Sequence, residues 1–248
     1  MEIQGYILHV KGSDDRYQHM QEQIRNLKIP FKYILDGDQC DLTAEIISKN
    51  FKDKLACVSG ISSCTYKHFL SLRDMIKNNV PYGLIFENDV FLDKNFEAAV
   101  HKAISEIKAS KQASSIKNFY LSLEDSFMKF VKGSARKKGQ TVYKIERGEY
   151  GGYNGYNTRA AGAYIVDLEA AKNIIKEVDS NKCGLVSDWF YTYCVGEGII
   201  NLYYIHPTIV SQGSHNGKFN SLFPGVKRKG RLSYLLQKQY KKLLWRLR

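Results

Sequence analysis

Along the first half of the chain, short apolar runs alternate with stretches whose apolar residues recur every three or four positions, the two periods that distinguish strands from amphipathic helices. Ile3 to Val10 reads as a buried strand, and Lys11-Gly12-Ser13-Asp14 as the polar turn that ends it. A helix follows with Tyr17, Met20, Ile24 and Leu27 on one face, then a second strand over Phe31 to Leu35. Ser59 to Lys77 predicts a helix carrying Cys64, His68, Leu72, Met75 and Ile76 at helical steps, leading into the apolar run that starts at Tyr82. Phe96, Val100, Ile104 and Ile107 mark another helix, and Asn118 to Leu123 another strand. Residues 133 to 158 interrupt the pattern. Regular structure resumes with a strand over Ala161 to Val166, a helix over Leu168 to Val178 and a late strand over Asn201 to Ile205, before Pro207. Strands and helices that alternate in this way build a mostly parallel sheet covered by helices. The opening unit lacks a G-x-G-x-x-G turn, which disfavours a nicotinamide or flavin cofactor.

The run Tyr82-Gly83-Leu84-Ile85-Phe86 stops abruptly at Glu87-Asn88-Asp89. On a strand, residues two apart point to one side, so both carboxylates would leave the strand end toward one point. Converging carboxylate oxygens are hard ligands, suited to magnesium or manganese with the phosphates of a nucleotide. The same residues also fit a plain strand-to-helix turn punctuated by Asp89 and Asp93. The stretch Tyr150-Gly151-Gly152-Tyr153-Asn154-Gly155-Tyr156-Asn157 suits either an ordinary hairpin connection or a loop whose rings stack on a sugar or base.

Composition narrows the classes. With 248 residues, 44% of them apolar, the chain can bury a full core, and no window approaches a membrane-spanning run. Its start, Met1-Glu2-Ile3-Gln4-Gly5, has no basic leader and reads as cytosolic. The five cysteines are odd in number and none are spaced C-x-x-C, so buried free thiols are expected in place of disulfides or a zinc ribbon. The net charge of +12 is concentrated at the end: residues 225–248 hold nine basic and no acidic residues, leaving 28 basic against 25 acidic elsewhere. A nucleic-acid-binding module would spread positive charge over its body, and no motif of that kind occurs. Leu232, Leu235, Leu236, Tyr240, Leu243, Leu244 and Leu247 recur at helical steps among lysines and arginines, with Trp245 near the end. The tail, 225–248, is therefore expected to be an amphipathic cationic helix, lying on an anionic membrane surface or packed on the body formed by residues 1–224.

The order of these segments resembles glycosyltransferase family 25, the bacterial lipooligosaccharide galactosyltransferases and their relatives, over roughly residues 3 to 215. The family's opening strand, its arginine-methionine helix and its strand ending in Asp-Gly are matched by Ile3 to Val10, Arg16 with Met20, and Asp36-Gly37. Its Gly-Cys-x-x-Ser-His helix start is matched by Cys64 and His68, with Ser63 in place of the glycine and Lys67 in place of the serine. Glu87-Asn88-Asp89-Val90 stands where the family has Glu-Asp-Asp-Val, so the site loses one charge and keeps its outer carboxylates. Ala163-Tyr164-Ile165-Val166 with Ala170-Ala171, then Asp188, Pro207 and Gln212, complete the similarity.

The resemblance implies an α/β sandwich of the GT-A type and a metal-dependent, inverting transfer of a hexose, galactose from UDP-galactose foremost, to a lipooligosaccharide or lipopolysaccharide sugar. It also implies a place on the inner face of the bacterial cytoplasmic membrane. Val10, Arg16, Asp36, His68, Glu87, Asn88 and Asp89 would form the nucleotide-sugar site, with Mn2+ or Mg2+ on Asp89 and a late histidine, His215, completing the metal site. Asp188 would be the base, and Trp189, Tyr153 and Tyr156 would line the acceptor pocket. Read without the resemblance, Asp188 fits a helix N-cap, His68 a satisfied core histidine, Arg16 a solvated helix face and His215 a loop residue in water. Asn88 and Lys67 also leave open a relative that binds without catalysis.

Overall fold

A computed structural model of the chain describes residues 2–109, 117–125, 131–147, 153–158, 160–216 and 218–219, and seven positions between 233 and 244, with the His215 side chain left out. The strands β1 (Ile3–Leu8), β2 (Phe31–Ile34), β3 (Tyr82–Glu87), β5 (Phe119–Ser122), β6 (Val142–Lys144), β7 (Ala163–Asp167) and β8 (Asn201–Ile205) form one sheet in the order β2-β1-β3-β7-β5-β8-β6. Two short strands, β4 (Val90–Leu92) and β9 (Val210–Gln212), pair separately. β1 runs parallel to β2 and β3, and β5 parallel to β8, whereas β7 is antiparallel to both β3 and β5 and β6 is antiparallel to β8. Five of the seven strands therefore share one direction, the mostly parallel sheet expected.

Alternation along the strands sorts the core onto the sheet's two faces. Tyr6, Leu8, Ile85, Tyr120, Tyr164, Val166, Leu202 and Tyr204 face one side, where they meet α2 (Ala44–Asn50), α3 (Gly60–Lys77), α5 (Leu168–Asn181) and α6 (Ser187–Gly196). Ile3, Ile7, Leu84, Phe86, Phe119, Leu121, Ala163, Ile165, Tyr203 and Ile205 face the other, against α1 (Asp14–Ile24) and α4 (Phe96–Ala109). Both faces are covered, as a sheet rich in parallel strands requires. The result is an α/β sandwich.

Register fixes where the loops meet. Leu8 lies opposite both Ile34 and Glu87, Phe86 opposite Ala163, and Ser122 opposite Tyr164. The segments after β1, β2, β3 and β5 and the one entering β7 therefore converge on one edge, the carboxyl ends of the shared-direction strands.

Two local expectations change. Tyr17 is 43% exposed and does not face the core, because Arg16 and Met20 take the inward positions of α1 and its ring lies against His9 and Tyr33. The five cysteines are free, but only Cys183 and Cys194 are fully buried; Cys64 is half-buried, and Cys40 and Cys57 are exposed. Among the described residues no helix is long and apolar enough to cross a membrane. The described positions of the C-terminal tail are helical, and Leu235, Leu236, Tyr240 and Leu243 are 48–64% exposed.

Candidate functional site

Strand β3 ends at Glu87, and Asn88 and Asp89 form the turn into β4, so the two carboxylates do not both sit on the strand, and different partners hold each. Asp89 is 2% exposed. Its carbonyl accepts from the Gly213 amide at 2.7 Å and its Oδ2 from the Ser214 amide at 3.0 Å, so the start of α7 (Gly213–Asn216) anchors it. Arg16 reaches in from the first turn of α1, with its Nη1 3.9 Å from Asp89 Oδ2, and donates to Asn88 Oδ1 at 2.8 Å. Asp89 Oδ1 is buried and has no hydrogen-bond partner among the described residues. A buried acceptor left unmet costs free energy, and a carboxylate oxygen in that state fits a cation ligand.

Asn88 bridges Arg16 to His9, donating from Nδ2 to His9 Nδ1 at 3.2 Å. Burial is the main cause lowering the His9 pKa, followed by the Lys67 charge, so the ring stays neutral and offers its lone pair. An aspartate here could accept from Arg16 but could not donate to a neutral imidazole. The departure at Asn88 therefore gives this chain a bridge that the family's acid would not make.

Glu87 faces a second group of residues. Its Oε2 accepts from Gln212 Nε2 at 2.9 Å, while Oε1 lies 3.9 Å from Cys64 Sγ and 3.7 Å from His68 Nε2. Cys64 and His68 stand four residues apart on α3 and thus share a face. His68 is fully buried and burial pushes its pKa down to about 3, so the contact with Glu87 is not an ion pair. Its Nδ1 is hydrogen-bonded to the Tyr164 hydroxyl at 2.8 Å, and that hydroxyl to Tyr191 at 2.8 Å. Desolvation first, then the charges of Asp89 and Asp188, push the Glu87 carboxyl well above the usual range.

Asp188 lies in the first turn of α6, half-buried, and does not cap it: the N-cap is Val186, with no side-chain hydrogen bond there. Its Oδ2 accepts from the Ala160 amide at 3.2 Å and its Oδ1 from the Trp189 amide at 2.8 Å. The carboxylate is thus held by the segment entering β7, and its charge acts on Glu87, Cys64 and His68 alike.

The loop after β2 is organised by a residue that strand and helix patterns did not single out for a role. Lys67 is buried, and its Nζ donates to the carbonyls of Ile34, Leu35 and Asp36 at 3.3, 3.0 and 2.9 Å and pairs with Asp38 Oδ1 at 3.1 Å. Gly37 has φ +88°, a conformation that favours glycine, and its carbonyl accepts from Ser63 at 2.8 Å. Lysine in place of the family's serine joins Ser63 in fastening this loop to α3. The buried Asp38 was missed because nothing near it in sequence foretells a partner at position 67.

The other predicted positions are scattered more widely. Val10 is half-buried at the start of the turn after β1, its carbonyl accepting from the Ser13 amide at 3.2 Å, and Asp36 has an exposed side chain on the rim. Trp189 is 43% exposed beside Asp188. Tyr156 is packed against the core, whereas Tyr153 bonds through its hydroxyl to Glu197 at 2.7 Å, just past the far end of α6. At 1.5 Å per residue that end is roughly 12 Å from Asp188, so the structure does not bring Tyr153 to the base. His215 lies in α7, but its side chain falls outside the described residues, as do Tyr150 to Gly152 and Trp245.

The sequence profile of glycosyltransferase family 25 (LPS biosynthesis protein) matches residues 2–190. The chain belongs to glycosyltransferase family 25. The span of that match holds β1 to β7 and, from the sites above, every predicted residue except His215. Among relatives, the family 25 chain is 22% identical over 190 residues to the lipooligosaccharide biosynthesis protein lic2B of Haemophilus influenzae, covering 74% of this chain and 65% of that protein, just short of two thirds of its length. Among solved structures it is similar to an inositol-1-phosphate CTP transferase from T. maritima (12% identity, TM-score 0.39, covering 96% of this chain and 78% of that one). It is also similar to a mannose-1-phosphate geranyltransferase from Thermus thermophilus (9% identity, TM-score 0.37, covering 83% and 74%).

Proposed function

We propose that this family 25 protein is a metal-dependent, inverting glycosyltransferase that moves a hexose, galactose from UDP-galactose foremost, onto the sugar chain of a lipooligosaccharide or lipopolysaccharide. The observation that carries this reading is Asp89: a buried carboxylate with one oxygen unmet among the described residues, beside an arginine, at the carboxyl edge of the sheet. Asp89 would hold Mn2+ or Mg2+ there, and the bound ion would supply Lewis-acid neutralisation of the donor's diphosphate. Arg16 adds a fixed positive charge on the same side, suited to phosphate oxygens. Val10, Asp36 and Glu87 would contact the nucleoside, and Asn88 keeps Arg16 in place.

Asp188 is the base in this reading. Its carboxylate takes the proton of the acceptor hydroxyl as that oxygen bonds to the anomeric carbon, and the anomeric carbon–oxygen bond breaks with its electron pair leaving on the diphosphate. Attack from the face opposite the leaving group inverts the carbon. The Ala160 and Trp189 amides fix the Asp188 oxygens, and the exposed Trp189 ring offers an acceptor sugar a face to stack on. The exposed Leu235, Leu236, Tyr240 and Leu243 support a tail that lies on an anionic membrane and keeps the enzyme, peripheral on the cytoplasmic face, beside a lipid-linked acceptor.

The test is UDP release from UDP-galactose, UDP-glucose and UDP-N-acetylhexosamines, with Mn2+ and truncated lipooligosaccharide present. Acceptor-dependent release with one donor, lowered about 10²- to 10⁴-fold in Asp188→Asn, is expected. An Asp188→Asn protein at the wild-type rate would remove Asp188 as the base, and no release from any donor would refute the transfer.

A further inference from the structure

We propose that Cys64, His68 and Glu87 form a second cation site, distinct from Asp89 and selective for a zinc-class ion. One ligand atom from each of these residues falls within 4.8 Å of the other two. Cys64 Sγ and His68 Nε2 lie 3.9 and 3.7 Å from Glu87 Oε1. With bonds of about 2.0–2.3 Å, the ligand atoms of a tetrahedral zinc lie roughly 3.3–3.7 Å apart, so only small side-chain movements separate this arrangement from coordination.

The histidine supplies the independent observation. His68 has a relative exposure of 0%, and its Nε2, facing Glu87, has no hydrogen-bond partner among the described residues. Nδ1 is engaged by the Tyr164 hydroxyl, which in turn meets Tyr191. When Nδ1–H donates to Tyr164 and Tyr164 donates to Tyr191, Nε2 is left as a bare lone pair directed at the cluster. The opposite tautomer would bury an N–H with no acceptor, the costlier arrangement. A hydrogen bond that fixes the far nitrogen is the usual setting of a metal-bound imidazole.

The donor set decides the class of ion. A thiolate and an imidazole favour zinc or cobalt over magnesium or manganese, whereas the Asp89 side offers oxygen only. Binding releases the Cys64 thiol proton to solvent, and the half-buried Cys64 and Glu87 leave a path of entry. Three protein ligands leave the fourth position for water or substrate, within reach of the Asp188 field. The site shares Glu87 with the donor reading, but ion binding there needs neither nucleotide nor sugar.

Chelator-treated full-length protein titrated with Co2+ alone tests it. The expected result is a thiolate-to-cobalt charge-transfer band saturating at one ion per chain, bleached by Zn2+, lost in Cys64→Ser and kept in Asp89→Ala. Glu87→Gln, a milder change should Cys64→Ser fail to fold, is expected to weaken Co2+ binding roughly tenfold or more. No band in the wild type, or a band that survives Cys64→Ser because exposed Cys40 or Cys57 produces it, overturns the site. A band lost in Cys64→Ser with no UDP binding anywhere would instead leave this site standing and the donor reading refuted.

Discussion

Lys67 puts an amine where the sheet edge, the loop after β2 and helix α3 meet, and it is surrounded by three carbonyls and the Asp38 carboxylate. Removing the amine leaves Asp38 buried with its counter-charge gone, the situation in which a broken pair costs most. Lys67→Met is therefore expected to lower unfolding free energy by about 3–5 kcal/mol in urea titrations, with part regained in Lys67→Met/Asp38→Asn. A loss below about 1 kcal/mol would mean the pair is solvated and the loop is held otherwise. His9 gives a pH signature on the same edge. Its folded pKa lies below the ordinary 6.5, chiefly through burial and then Lys67, with Asp38 opposing, so the native state binds fewer protons than the unfolded chain below that pH. The stability is intact above 6.5 and is lost as pH falls toward the lowered value. Urea midpoints at successive pH values should show this acid slope in the wild type and a shallower one in His9→Gln, which accepts from Asn88 but does not titrate; equal slopes would contradict it.

Elements with a full period were legible in the sequence. Phe96, Val100, Ile104 and Ile107 are all buried on α4, and the Ser59 boundary is a capping box that starts α3. What was not legible is short or set by distant partners. The strands β4, β6 and β9 have only three residues each, too few to show alternation, and α2 has seven. The pair Glu87 and Asp89 could be picked out, but not that the strand would end between them, because that follows from Gly213 and Ser214 anchoring Asp89 from far along the chain. Likewise Tyr153 was grouped with Tyr156 by neighbourhood, and only its bond to Glu197 reveals that it is tied to the far end of α6. The tail has the clearest period of any element, and of its described apolar residues Leu235, Leu236, Tyr240 and Leu243 stay exposed while Leu244 is half-buried. Those leucines predict binding to vesicles containing anionic phospholipid in co-sedimentation, weakened by salt and lost on replacing Leu236 and Leu243 with glutamate. Binding unchanged by that double substitution would argue for the basic residues alone.

Across the full fold, the sheet gathers the ends of β1, β2, β3 and β5 so that acids, an arginine and a buried histidine from segments far apart in sequence share one edge. In the proposed function, everything at that edge depends on Asp89 coupling a divalent cation to a uridine nucleotide. Thermal unfolding with UDP, Mn2+ and both together, on wild type and Asp89→Ala, addresses that coupling without needing the acceptor. With both ligands near a hundred times their dissociation constants, linkage gives about 2.7 kcal/mol, a rise in Tm of roughly 5–10 °C for a chain of this size. The rise should require both ligands and disappear in Asp89→Ala. An unchanged Tm in the wild type, or an equal rise in Asp89→Ala, would contradict the coupling.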